Sequence, residues 1–247
     1  MKAYHGHERE YARMRREGVQ AWDQRDRPHA VDPDDLRFLE DVLRQPWCPR
    51  GGRALEMGCG TAPLLRFLCG AGFEGVGVDV SGTAIEMARE QSAGLPVSFE
   101  TGDVCRGALD AHAPLDLCLD GHCLHCVCDP GDRRRMLADT AAALSADGVF
   151  VLMTMCSPVN EAGLSRMSPG QLFRDDILYA PVSDPGDYED VLTMDDNLYL
   201  PVRCIPPWQA LLAALEEAGL EPRLLRLALP TEEDPVSSLN IAASRRG

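Results

Sequence analysis

Between positions 120 and 128 the chain reads Asp120-Gly-His-Cys-Leu-His-Cys-Val-Cys128, which gathers two imidazoles, three thiols and a carboxylate in one short run. An imidazole titrates near pH ~6.5, so His122 and His125 are suited to take a proton from a reacting group near neutrality. Asp120 can orient a cationic ligand group or assist as a base. These three are the candidate catalytic residues; the alternative is that the histidines satisfy backbone groups beneath a cover. Cys123, Cys126 and Cys128 also have the spacing of a metal tract. A structural zinc site pairs two such clusters or adds a distant histidine pair. No second cluster is present, although Cys118, Cys156 and Cys204 are available to converge in space. Buried thiols pack as small apolar groups, and the expectation is packed cysteines with no bound metal.

A second stretch, Ala54-Leu-Glu-Met-Gly-Cys-Gly-Thr-Ala-Pro63, runs from an apolar strand through a glycine-rich turn into a helix. In open parallel sheets, ligands bind outside the carboxyl ends of the strands where the strand order reverses. Gly58 and Gly60, with Cys59 between them, leave bare main chain for a ligand to lie against. Pro63 suits the first helical turn, where its missing N–H costs nothing. A dinucleotide site calls for a third glycine, and Pro63 stands in that place. Glu56, just before the turn, would repel a pyrophosphate. A carboxylate there suits a ligand with a positive centre and an ammonium group and no phosphate, as in S-adenosylmethionine. A nicotinamide site with a degraded fingerprint is the alternative.

These residues resemble the motifs of the class I S-adenosylmethionine-dependent methyltransferases, over about two-thirds of the chain. Leu55-Glu-Met-Gly-Cys-Gly-Thr61 is similar to the first motif. Gly77, Asp79, Val80 and Ser81 are similar to the end of the second strand, whose acid holds the ribose hydroxyls in that family. Gly102-Asp103-Val104 is similar to the segment that reads adenine. Leu115 to Asp120 matches the fourth strand, beside the methionine moiety and the acceptor. The resemblance thus implies a cofactor site of Trp22, Glu56, Gly58, Cys59, Gly60, Asp79, Val80, Gly102, Asp103, Val104 and Asp120, with S-adenosylhomocysteine as product. Tyr11 and Trp22 are expected to fold over the cofactor, as N-terminal segments do in similar small enzymes. One departure is Ala62, where the family has a glycine or similar; its small side chain is expected to allow the same close approach. Asp129-Pro-Gly-Asp-Arg133 is locally similar to thiopurine-type and thiol methyltransferases, which points to small, soft acceptors. The Asn/Asp-Pro-Pro-aromatic signature of amino-methylating DNA enzymes is absent from the end of the fourth strand.

The elements that must hold these residues follow from periodicity. Tyr4, Glu8, Tyr11 and Arg15 have helical spacing in an N-terminal segment, 1–30, and Pro28 and Pro33 break any longer helix. Asp32-Pro33-Asp34-Asp35 reads as a helix start with acids at the positive end of the dipole. Strands at 53–58, 75–79, 97–101, 115–119 and 149–155 alternate with helices at 61–69, 81–91 and 132–144. Ser81 is read as an N-cap, and Gly148 as a left-handed helix end. Residues 157–207 break the rhythm and read as a lid or binding loop over the acceptor, or as a partly disordered acidic insertion. A helix at 208–218 and strands at 224–229 and 237–243 close the chain. The fold expected is α/β: a Rossmann-like, doubly wound, seven-stranded sheet, mostly parallel with an antiparallel last strand, in one domain of 1–247.

Composition narrows the partners. With 24 Lys+Arg against 39 Asp+Glu, the net charge is −15, a field that repels phosphate backbones and disfavours nucleic acid. The run Arg133-Arg-Arg135 reads as one solvated helix face. No stretch approaches the ~18–20 apolar residues of a membrane span, and the polar N-terminus lacks a secretory core. Ten cysteines without an export signal read as thiols in a cytoplasmic protein. The expected function is methylation of a small molecule. Methylation of a basic peptide drawn to the acidic surface, and non-catalytic cofactor binding, are the competing readings.

Overall fold

The computed structural model describes residues 1–22, 31–167, 170–184 and 186–246. After a turn of 3-10 helix at Ala3–Gly6, helix α1 spans His7–Glu17 and ends on Gly18, whose φ of 75° is left-handed. The interruption read at Pro28 lies outside the described residues, as does the rest of the 23–30 stretch. Helix α2, Pro33–Arg44, starts as its sequence dictates: the Asp32 carboxylate accepts from the Asp34 N–H and Pro33 occupies the first turn.

Strand β1 (Gly52–Met57), helix α3 (Pro63–Gly70), β2 (Phe73–Asp79), α4 (Gly82–Gln91), β3 (Val97–Thr101), β4 (Leu115–Gly121), α5 (Pro130–Ala143) and β5 (Leu144–Val159) then alternate. Ser81 caps α4 by accepting from the Ala84 N–H. Helix α6 (Glu161–Met167) and strands β6 (Leu172–Arg174), β7 (Ile177–Val182), β8 (Leu192–Met194) and β9 (Asn197–Cys204) follow, then α7 (Trp208–Glu217), β10 (Leu220–Ala228) and β11 (Val236–Arg245).

The main sheet has the order β10-β11-β5-β4-β1-β2-β3. Strands β1 to β5 pair in parallel, and β11 runs antiparallel to both β5 and β10. The chain leaves β1 for β2 on one side and comes back to β4 on the other, so a crevice opens at the carboxyl end of β1. Alternation along each buried strand builds a core on both faces. Leu55, Cys118, Phe150 and Leu152 face one layer; Ala54, Leu117, Val149 and Val151 face the other, against Phe38 and Leu39 of α2 and Leu65 of α3.

One expectation changes. Helix α5 ends at Ala143, and Gly148 lies inside β5 without a positive φ. Its lack of a side chain answers crowding instead, since a Cβ there would meet the Leu115 carbonyl oxygen at 2.7 Å. Within the 157–207 stretch, read as a lid or binding loop or as a partly disordered insertion, helix α6 precedes an antiparallel sheet of order β6-β7-β9-β8. Asp175-Asp176 and Asp195-Asp196 turn its two tight hairpins, with φ of 51°, 61°, 49° and 63°. Aspartate tolerates the left-handed region that such two-residue turns require. Part of the acidity of this segment is therefore turn chemistry.

Candidate active site

Strand β1 delivers Glu56 and Met57 to the crevice, and the chain then turns through Gly58 (φ 57°), Gly60 (φ 53°) and Ala62 (φ 56°) before entering α3. A side chain at Gly58 would meet the Cys123 sulfur at 2.6 Å. The turn is fixed by the second strand: the Cys59 N–H donates to the Val78 carbonyl at 3.0 Å, and the Gly60 N–H to Asp79 Oδ2 at 2.8 Å. The other Asp79 oxygen accepts from the Ser81 N–H at 2.8 Å. Ala62 thus takes a left-handed conformation that glycine adopts at no steric cost, so its departure from the familiar motif is conformational as well as a matter of size.

A cavity of about 660 Å³ lies above this turn. Trp22, Glu56, Gly58, Cys59 and Asp79 line it, as do Val80, Gly102, Asp103 and Val104 at the ends of β2 and β3. Gly60 and Asp120 lie behind that lining. Burial pushes the Glu56 carboxyl up to about 8, against the pull of the Leu65 N–H and of Arg66. Asp79 is also raised by burial, despite its two backbone donors. Neither carboxyl forms an ion pair among the described residues. Buried acids with no ion-paired cation among the described residues fit a ligand that brings one.

The N-terminal segment lies across this site. The Tyr4 hydroxyl donates to Asp103 Oδ2 at 3.0 Å, the Tyr11 ring packs against Gly60, and Tyr11 and Trp22 meet with ring centroids 5.6 Å apart. Glu8 accepts from the Ser81 and Thr83 hydroxyls at 2.7 and 2.6 Å and from the Thr83 N–H at 3.2 Å.

At the carboxyl end of β4, Asp120 is wholly buried and gives both oxygens to main chain, accepting from the Cys123 N–H at 2.7 Å and the Leu124 N–H at 2.9 Å. Burial lifts its carboxyl to about 7. Asp120 shapes the turn that carries the histidines instead of reaching into the cavity. His125 is buried, its Nδ1 accepting from the Met155 N–H at 3.4 Å, and burial draws its pKa down to about 4, which keeps it neutral. His122 lines the cavity with φ 76° and bonds through Nε2 to Asp35 Oδ2 at 2.6 Å. Asp35 Oδ1 in turn accepts from the Asn240 amide at 3.0 Å.

Cys126 and Cys123 both line the cavity, Cys126 beside His7 of α1, His125 and Arg203 of β9, and Cys123 against Gly58. Burial pushes the Cys126 thiol up, but Arg203, His125 and His7 outweigh it and hold the thiol well below its usual range. Among the described residues no three His, Cys, Asp or Glu side chains are grouped so as to hold a metal ion. Sequence reasoning missed Asp35, Asn240, Glu8, His7 and Arg203 as site residues. Asp35 carried only the signal of a helix-start acid, and nothing in the sequence marks the other four as neighbours of the cavity.

Residues 54–148 match the model of a methyltransferase domain. No curated protein matches the sequence. The fold is similar to an S-adenosylmethionine-dependent methyltransferase of Clostridium acetobutylicum, with a TM-score of 0.64 and 14% identity over 96% of this chain and 99% of that one. It is similar to the N-methyltransferase NodS of Bradyrhizobium japonicum in complex with S-adenosylhomocysteine, with a TM-score of 0.62 and 14% identity over 96% and 98% of the two chains. It is also similar to the 1,6-didemethyltoxoflavin-N1-methyltransferase of Burkholderia thailandensis, solved with that heterocycle and S-adenosylhomocysteine bound. There the TM-score is 0.59 and the identity 18%, over 97% and 91% of the chains.

Proposed function

We propose that the chain is an S-adenosylmethionine-dependent methyltransferase that methylates a small molecule, a reading supported by the methyltransferase-domain match over residues 54–148 and by the fold it shares with such enzymes. The observation that carries this reading is the cavity itself. At about 660 Å³ it has the size of a small-ligand site and must hold the cofactor and the acceptor's reacting group together, which leaves room for a compact acceptor. Side chains of the N-terminal segment, Tyr4, His7 and Tyr11, wall one side of it, and Arg203 and Asn240 wall another. A reacting group must enter between these walls, which favours a small acceptor over a side chain on a folded protein. The heterocycle held by the Burkholderia enzyme supports the same reading.

When bound, S-adenosylmethionine supplies an activated methyl group on a positively charged sulfur. In our reading Glu56 and Asp79 hold the cationic and ribose portions, and the Gly58-Cys59-Gly60 main chain lies alongside. Val80, Gly102, Asp103 and Val104 receive the adenine side, and Trp22 covers it. Asp120 acts through the turn it shapes. His122 and His125 stand on the acceptor side, His122 as a base and His125 as a neutral wall. We treat 1–247 as one catalytic unit, with 1–30 and 157–207 as covers for cofactor and acceptor; of the first, 23–30 lie outside the described residues. No helix among the described residues is long and apolar enough to cross a membrane. All ten cysteines are free thiols, which fits a reducing, cytoplasmic setting.

Calorimetry with S-adenosylhomocysteine, followed by transfer of labelled methyl to a metabolite extract and to basic peptides, tests the reading. Binding with label on small molecules is the expected result. Label on peptides alone would reverse the acceptor class, and absence of binding would remove the cofactor assignment.

A further inference from the structure

We infer that Asp35 and Asn240 are positioning residues that present His122 to a hydroxyl or heterocyclic N–H of the acceptor, an inference that rests on the methyl transfer proposed above. Three distant pieces of chain meet at one carboxylate. Asp35, in the first turn of α2, binds His122 Nε2 with one oxygen at 2.6 Å and the Asn240 amide of β11 with the other at 3.0 Å. Asp35 and Asn240 are 7% and 5% exposed, while the His122 side chain keeps 37% exposure, on the cavity.

An ionised carboxylate only accepts hydrogen bonds, so Nε2 carries the ring proton and Nδ1 the lone pair. The same logic orients the amide, with its N–H toward Asp35 and Oδ1 away from it. That Oδ1 is buried, and among the described residues it has no hydrogen-bond partner. Leaving a buried carbonyl without a donor is costly, and a donor on a bound molecule would recover that cost. His122 itself sits at φ 76°, a conformation uncommon for a side-chain-bearing residue, and is pinned there by its N–H bond to the Met153 carbonyl at 3.0 Å. Strain held in place this way is characteristic of functional sites.

The relay gives His122 a task that a thiolate or neutral amine acceptor would not need. As the bond from acceptor atom to methyl forms and the bond from methyl to sulfur breaks, the acceptor's X–H proton passes to Nδ1. The electron pair left on sulfur neutralises the sulfonium. The positive charge therefore moves onto an imidazolium directly beside Asp35, where an ionised partner stabilises it. Acceptors that must lose a proton are the ones served: phenolic or enolic hydroxyls and acidic ring N–H groups.

Nuclear magnetic resonance of the His122 ring nitrogens in the full chain, with S-adenosylhomocysteine added, tests the relay. The wild type should show Nδ1 unprotonated. Asp35→Asn should lower the ring's titration midpoint by about one pH unit, the size expected for loss of an adjacent charge. Asn240→Ala, which keeps the charge, should leave a mixture of tautomers. Labelled methyl transfer to a panel of phenols, 2-pyridones and thiophenols adds the acceptor class. Transfer to the first two groups, falling at least tenfold in Asp35→Asn with the KM for cofactor unchanged, is expected. A protonated Nδ1, or a midpoint indifferent to Asp35→Asn while S-adenosylhomocysteine still binds, overturns the relay and leaves the methyl-transfer reading standing. Transfer to thiophenols alone overturns the acceptor class.

Discussion

Glu8 accepts a hydrogen bond from the Ser81 hydroxyl at 2.7 Å, while that hydroxyl oxygen accepts from the Ala84 N–H at 3.0 Å. One serine therefore caps helix α4 and anchors the N-terminal helix over the crevice at the end of β1. Hydrogen bonds to a charged group are worth about 1.5–3 kcal/mol. Partial exposure of this one reduces that figure. Glu8→Ala is expected to weaken cofactor binding roughly 5- to 30-fold, and trypsin should cut faster after Arg13 and Arg15. Unchanged cleavage and affinity would mean that the segment is held elsewhere.

Cofactor affinity should depend on pH through Glu56. Burial places its carboxyl near 8, so it is protonated at pH 7. A bound cation favours the ionised form, and binding must then release a proton. Affinity for S-adenosylmethionine is expected to rise as pH is raised toward 8 and to level off above it. Calorimetry in buffers of different ionisation enthalpy measures the released proton directly. Glu56→Gln should abolish both the release and the slope; a slope that survives that change would assign it to another group.

Ala62, wholly buried at φ 56°, sits where L-residues pay about 1–2 kcal/mol of steric cost and glycine does not. Glycine also has more freedom to lose on folding, which offsets part of the gain. Thermal or urea unfolding of Ala62→Gly should show a net stabilisation of roughly 0.5–1 kcal/mol. A destabilised variant would show that the methyl's packing in the core outweighs its backbone strain.

Cys126 should be the first of the ten thiols to react with iodoacetamide at pH 7. His7, His125 and Arg203 hold it well below the usual thiol range, while burial raises all nine others. The thiolate is the reactive form. Because Cys126 lines the cavity, saturating S-adenosylhomocysteine should slow its labelling at least tenfold. Peptide mass mapping that finds Cys48 or Cys204 modified first would contradict this.

The central sheet was legible because burial on both faces forces short apolar strands, and the turn after β1 forces glycine at Gly58 and Gly60. One wall of the cavity follows from the same logic, since Glu56, Asp79 and Asp103 stand at strand ends whose order in the chain is their order in space. The sheet at 172–204 was not legible as strands: its hairpins turn on Asp-Asp pairs, which look like acidic loop rather than the Asn-Gly that marks such turns.

The histidine side of the cavity depended on tertiary structure. The sequence by itself settled that His122 and His125 follow a strand end, since only local spacing is needed for that. It did not separate them, because their surroundings come from afar: α2 and β11 bring Asp35 and Asn240 to His122, 87 and 118 positions away, while burial against β5 keeps His125 neutral. Local patterns are written in periodicity, but electrostatic partnership is a property of distance through space, and the fold sets that distance.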